Sequence, residues 1–247
     1  MNKDIQLLEE LSLNVQAALK TRIYDGWIMR FCKGYTKRAN SVWPLYVSYD
    51  DTDEKIITCE KQYETAGLPC IFKLTDNNAD LNERLEKRGY EKLDPTDVMT
   101  LKLDKNSFDT ITEGFISDST LTDKWLSAYC GFEGIRSSEV QKLIPDMLSN
   151  VMVETLYCAV ENNGMTVSCA SAAIERGYML IQNVAADPDK RRMGFGSAVC
   201  MGLLGCAAEN GVHTAYLQVV QSNTAACEMY KKLGFEKVYT YWYMRKK

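Results

Sequence analysis

The chain has 247 residues, 46% of them hydrophobic and 25% charged, which is enough apolar material for one large domain or two small ones with full cores. Its 29 Lys and Arg against 33 Asp and Glu leave a net charge of -4, so a general electrostatic hold on nucleic acid or on an anionic membrane is not indicated. Nine cysteines without a C-x-x-C pair, beside the single histidine His213, speak against a metal site or a redox motif and fit a reducing cytoplasm.

In chain order, residues 1–20 are acidic and helix-patterned and lack the apolar core of a cleavable signal. Strand-like runs with turn residues follow, from Gly26-Trp27-Ile28-Met29-Arg30 through the stretch 34–42 that carries Arg38, Asn40 and Ser41. A strand is expected over 98–103. The polar segment Asp104-Lys105-Asn106-Ser107 after it is the expected linker, dividing the chain into domains 1–105 and 106–247. Thr120 and Ser138 are expected to cap helices, the second with Gln141 in a capping box. Strands over 153–160 and 165–174 meet through Asn162-Asn163-Gly164, whose Asn-Gly step suits a hairpin, and a third strand covers 178–186. A helix from about Gly194 stops at Asn210-Gly211, and a strand (214–220), a helix (223–233) and a last strand (236–244) complete a mixed α/β order. The longest nearly apolar run, 195–208, is too short to span a bilayer. His213, next to a glycine turn and a strand, is expected to be structural.

An offset of 145 pairs residues 78–99 with 223–244, matching Asn78 with Asn223, Glu83 with Glu228, Lys87 with Lys232, Gly89 with Gly234 and Met99 with Met244. Both segments read as strand, helix, Gly-aromatic turn, strand. This points to an internal duplication.

The segment from Val184 to Gly196 ends a strand at Pro188 and opens a helix with two glycines. A helix start offers unpaired N–H groups and the positive end of the dipole, and Arg191 and Arg192 add charge-assisted donors, so the loop suits a pyrophosphate. Ser197 after the second glycine excludes a Walker loop, and Val199 stands where a dinucleotide fingerprint needs its third glycine. The remaining pattern, Arg191-x-x-Gly194-x-Gly196, resembles the acetyl-CoA signature of the GNAT superfamily. Asn223, Ala226, Tyr230 and Leu233-Gly234-Phe235 resemble its second segment, so the likeness is sharp over 181–235 and follows the element order over 110–247.

That resemblance implies a GNAT fold in the C-terminal half and an enzyme that moves the acetyl group of acetyl-CoA to the amine of a small molecule or polypeptide. It puts the backbone of Val184 and Ala186 against the pantetheine. Arg191, Arg192, Met193, Gly194, Phe195, Gly196 and Ser197 would surround the pyrophosphate, and Asn223 would stand at the start of the helix lining the cofactor arm. Tyr230 is the expected general acid that protonates the departing thiolate. The strand before the motif carries Gln182 and Asn183 where the family often has a carboxylate, so the base stays open among a water chain, Glu154 and a group from the N-terminal half.

Under the same offset the first copy has Tyr49 and Asp51 at the glycine positions and Leu85 for Tyr230, so the N-terminal half resembles the degenerate copy of two-domain GNAT proteins. Arg38, Asn40 and Ser41 are expected to face the cleft between the halves and help hold the acceptor, or else to form a solvated, capped hairpin. A homodimer is compatible with the sequence. The rival reading is a non-catalytic acyl-CoA sensor.

Overall fold

A computed structural model describes residues 2–103 and 112–246, and at 208 and 209 the backbone alone. The proposed linker 104–107 therefore lies outside the described residues. In chain order the elements are α1 (Lys3–Val15), β1 (Lys20–Tyr24), β2 (Trp27–Phe31), β3 (Val42–Pro44), α2 (Thr52–Thr65), β4 (Ile71–Thr75), α3 (Ala79–Lys87) and β5 (Tyr90–Lys102). After the undescribed segment come β6 (Phe115–Asp118), α4 (Asp123–Phe132), α5 (Ser138–Ser149), β7 (Glu154–Asn162), β8 (Met165–Glu175) and β9 (Tyr178–Ala186). The chain closes with α6 (Phe195–Glu209), β10 (Thr214–Val220), α7 (Thr224–Lys232) and β11 (Glu236–Lys246). Two compact units result: unit 1 holds residues 1–97, 220–222 and 239–247, and unit 2 holds 98–219 and 223–238.

In unit 1 the strand order is β1-β2-β3-β4-β11, antiparallel except for the parallel step from β3 to β4. Trp27, Met29, Val42, Ile56, Cys59, Tyr63, Phe72 and Leu85 are buried between this sheet and helices α2 and α3. On the other face of this sheet, toward α1, a charged pair is buried. Lys73 bonds Glu9 at 2.6 Å and lies 3.7 Å from the Trp43 ring centroid and 3.9 Å from that of Tyr241, while Tyr239 donates to the other oxygen of Glu9 at 2.8 Å. A fully buried ammonium is tolerated because a carboxylate and two ring faces replace its water.

In unit 2 the order is β5-β10-β9-β8-β7-β6, antiparallel across β6 to β9 and parallel between β9 and β10. α6 is apolar around most of its circumference and packs with Val199, Cys200, Leu203, Leu204 and Ala207 fully buried, while Met201 is exposed. α4 packs on the other face, where the Trp125 indole donates to the carbonyls of Cys158 and Ala170, each at 3.0 Å.

Two caps differ from expectation. α4 is capped by Thr122, whose hydroxyl accepts from the Trp125 N–H, and α5 by Ser137, which accepts from the Val140 N–H; each stands immediately before its helix, whereas Thr120 lies two residues too early and Ser138 is already the first helical residue. Gln141 donates to the carbonyl of Ile135 instead of closing a capping box. Six cysteines are buried and three are half-buried, all as free thiols. Among the described residues no helix is long and apolar enough to cross a membrane.

Candidate active site

β9 and β10 begin as a paired parallel ladder, from Tyr178 beside Thr214 to Ile181 beside Leu217, and then part. Beyond Ile181, among the described residues, β9 pairs only with β8, through Gln182, Ala185 and Ala186. The cause of the parting is local. Asn183 adopts a left-handed φ of 54°, the β8 register breaks between Cys169 and Ser171, and the Asn183 amide donates to the buried Ser171 hydroxyl at 2.9 Å. Asparagine is among the few residues that accept this φ without glycine's freedom.

Beyond Ala186 the chain is fixed by Asp187, which accepts from the Asp189 N–H, and then turns through Arg192 at φ 62° and Gly194 at φ 86° into α6. Arg191, Arg192 and Met193 are exposed. Gly194 is the N-cap of α6 and supplies no side-chain acceptor. The N–H groups of Gly194, Phe195, Gly196 and Ser197 consequently donate to nothing among the described residues. Four open amides follow one another at the start of α6, directly after Arg191 and Arg192 in the chain. A helix start with open amides can serve as a bed for a doubly charged phosphate group. Ser168 holds the bed in place by donating to the carbonyl of Phe195 at 2.8 Å. A Cβ on Gly196 would lie 3.3 Å from the Met229 sulfur of α7, whereas one on Gly194 would meet nothing within 4 Å. Gly194 thus answers a backbone demand, and Gly196 a close approach of two helices.

Val184 packs against the core beneath α6, and Ala186 pairs with Ser168. Asn223 caps α7 by accepting from the Ala226 N–H at 3.2 Å, which occupies its carbonyl oxygen. Tyr230 is 7% exposed, its ring edge-on to Phe235 with centroids 6.0 Å apart. It shares one cluster with Val184, Phe195, Val199 and Val219. Burial pushes its phenol well above the ordinary range, with the Cys200 and Cys227 thiols adding to the effect. Its hydroxyl has no hydrogen-bond partner among the described residues.

Glu154 starts β7 opposite Ile174, three to six residues along the ladder from the positions that face the parting strands, or about 10–20 Å at strand rise. It is exposed, and no contact brings it to the parting strands. His213 packs over Gly177 and against Tyr178, with Nδ1 2.9 Å from the Thr214 hydroxyl, a structural placement.

The three N-terminal residues are described within unit 1. The Asn40 side chain accepts from the N–H groups of Cys32 and Gly34 and donates to the carbonyls of Cys32 and Thr36, so all its polar capacity is used inside its own loop. Ser41 is fully buried and accepts from the Trp43 indole at 2.9 Å. Arg38 donates from Nε to the Tyr241 hydroxyl at 3.1 Å. Sequence reasoning gave no role to Ser168 or Ser171, although two serines in a largely apolar strand were a usable signal, and it named Asn183 for the absent carboxylate and not for the kink.

Comparison with known proteins bears on the same region and on the whole chain. The family described as "Probable histone acetyltransferase Rv0428c C-terminal" matches residues 3–244. The "Uncharacterized N-acetyltransferase YobR" of Bacillus subtilis is 26% identical over 250 residues, covering 99% of each chain. The "[Ribosomal protein bS18]-alanine N-acetyltransferase" of Escherichia coli is 35% identical over 87 residues, 35% of this chain and 59% of that enzyme. Among solved structures, a GCN5-related N-acetyltransferase from Kribbella flavida superposes with a TM-score of 0.71 at 14% identity, covering 98% of this chain and 94% of that one. A "Tandem GNAT protein from the clavulanic acid biosynthesis pathway (without AcCoA)" gives 0.66 at 11% identity, covering 99% and 96%. The expected fold is thus found, a GNAT fold preceded by a degenerate GNAT-like domain. With one family spanning nearly the whole sequence, this chain belongs to that acetyltransferase family and is an acyltransferase of the GNAT superfamily.

Proposed function

We propose that unit 2 transfers the acetyl group of acetyl-CoA directly to an amine, with Tyr230 as the general acid. The observation that carries this reading is the set of four undonated N–H groups at residues 194–197, next to the point where β9 leaves β10. These amides, with Arg191 and Arg192, would hold the pyrophosphate, and the one-sided backbone of Val184 to Ala186 would lie along the pantetheine. Acetyl-CoA supplies an acyl group activated as a thioester. The protein's part is to align it, keep the parting strands dry on the α6 side, and hold a proton at the Tyr230 hydroxyl. The acceptor is an amine of a small molecule or of a polypeptide; likeness to an enzyme that acts on a ribosomal-protein alanine supports the second.

The test is release of coenzyme A from acetyl-CoA across a panel of amines and peptide N-termini. Acceptor-dependent release is expected. Binding without turnover on any acceptor would favour a sensor. In the same assay Arg191→Ala should raise the Kd for coenzyme A about 10- to 100-fold, since a charge-assisted hydrogen bond is worth roughly 1.5–3 kcal/mol. An unchanged Kd in the folded variant would remove the loop from the site.

A further inference from the structure

Unit 1 repeats the order of the candidate site, with β3, α2, parallel β4 and α3 in the places of β9, α6, parallel β10 and α7. Its loop between β3 and α2 is the counterpart of residues 187–194. There, however, the donors are taken by the chain itself. Asp25, on the β1–β2 turn, accepts from the N–H of Tyr49 at 2.9 Å, from the N–H of Asp50 at 2.9 Å and from the Ser48 hydroxyl at 2.8 Å. Lys55, from the first turns of α2, adds its ammonium at 2.8 Å. That ammonium is wholly buried and lies 4.2 Å from the Trp27 ring centroid. Asp51 meanwhile accepts from the N–H groups of Asp53 and Glu54.

Two amides, a hydroxyl and an ammonium around one anion are the donors that a phosphate recruits at a helix start. The turn is shaped to deliver the carboxylate. Asp25 and Gly26 both have positive φ, 40° and 77°, and a Cβ on Gly26 would stand 2.2 Å from the carbonyl oxygen of Val47. Only glycine lets the turn press this close to the loop. The space past the loop is closed as well. β3 and β4 share one paired position, Val42 with Phe72, and Ile5, Gln6 and Glu9 of α1 fill the region beyond it with Trp43, Pro44 and Lys73. About 20 Å³ remains, room for one water.

We infer that Asp25 is a permanent internal substitute for a cofactor phosphate, so that the degenerate unit is self-ligated and the chain loads one coenzyme A, in unit 2. This rests on the reading of residues 191–197 as the pyrophosphate bed. The loop of unit 1 keeps an anion-holding geometry but has exchanged an external ligand for a covalently supplied one.

The test uses the full chain labelled with 15N. Without ligand, the amides of Tyr49 and Asp50 should be protected from hydrogen exchange although the Tyr49 side chain is 87% exposed, and those of residues 194–197 should exchange fast. Saturation with coenzyme A should shift Gly194, Phe195 and Gly196 and leave Tyr49 and Asp50 in place. Fast exchange at Tyr49 and Asp50 in the free chain, or saturable shifts there with coenzyme A, would overturn the inference. Silence at 194–197 with protection at 49 and 50 would leave Asp25 in its role and instead remove the reading of unit 2. In Asp25→Asn the two amide protons should move upfield; unmoved protons would again overturn it.

Discussion

Tyr230 and Leu85 stand at matching places in two cores, 7% and 0% exposed, and one of them brings a hydroxyl. Packing alone would be served by either ring or branch, so the hydroxyl is the part that needs a chemical reason. Burial holds the phenol protonated at neutral pH, which suits an acid but also weakens its drive to give the proton away. The same low-dielectric surroundings raise the basicity of a thiolate forming beside it, so the two effects offset each other at the moment of transfer. Tyr230→Phe should therefore keep the ring contact with Phe235 and most of the affinity for acetyl-CoA while kcat falls about 100- to 10,000-fold. Steady-state kinetics with the true acceptor checks this. A near-wild-type kcat with chemistry rate-limiting would leave Tyr230 a packing residue.

At the scale of elements, α6 links sequence to site most directly. Its glycines are not interchangeable. Gly202 faces β6, where an added Cβ would stand 2.1 Å from the Phe115 ring. Gly202→Ala should therefore destabilise the chain by up to about 2 kcal/mol net, overpacking costing about 1–3 kcal/mol and alanine's helix preference over glycine returning roughly 1 kcal/mol. Urea unfolding would show it as a lower midpoint at unchanged slope, and a raised midpoint would mean that the ring gives way freely. The β7–β8 hairpin, β9, α6, β10, α7 and β11 of unit 2 were legible from apolar runs bounded by turn residues such as Gly164, Gly177, Gly211 and Gly234, whereas the short β6 was not read from the sequence. The hairpin at Asn163-Gly164 and the glycine turns at Gly89 and Gly234 occur where the residues imply them, all at positive φ. The kink at Asn183 was not legible, since its partner Ser171 lies on another strand and no local pattern marks the pair. Asp25 was hidden for the same reason, being 23 to 30 residues from each group it binds. Arg38, Asn40 and Ser41 were found together, but the sequence could not tell that Asn40 and Ser41 spend their polar atoms on their own loop and on Trp43.

For the whole molecule, acetyl-CoA should raise the melting temperature by mass action, adding about 2.7 kcal/mol to the unfolding free energy of the binding unit at 100 times Kd. A scan in which saturating acetyl-CoA leaves every transition in place would argue against any native-state binding. The nine free thiols allow the same question to be asked region by region. Cys59 sits on α2 and Cys200 on α6, the matching helices of the two copies; both are fully buried, and burial pushes both thiols up to about 12. A thiol in that state meets an alkylating reagent only when its helix lifts from the sheet, so the rate of its capture reports the free energy of that opening. The chain thereby carries a native gauge in each copy, and the ratio of the two capture rates, with and without acetyl-CoA, would show which copy opens more readily and which one the ligand holds shut.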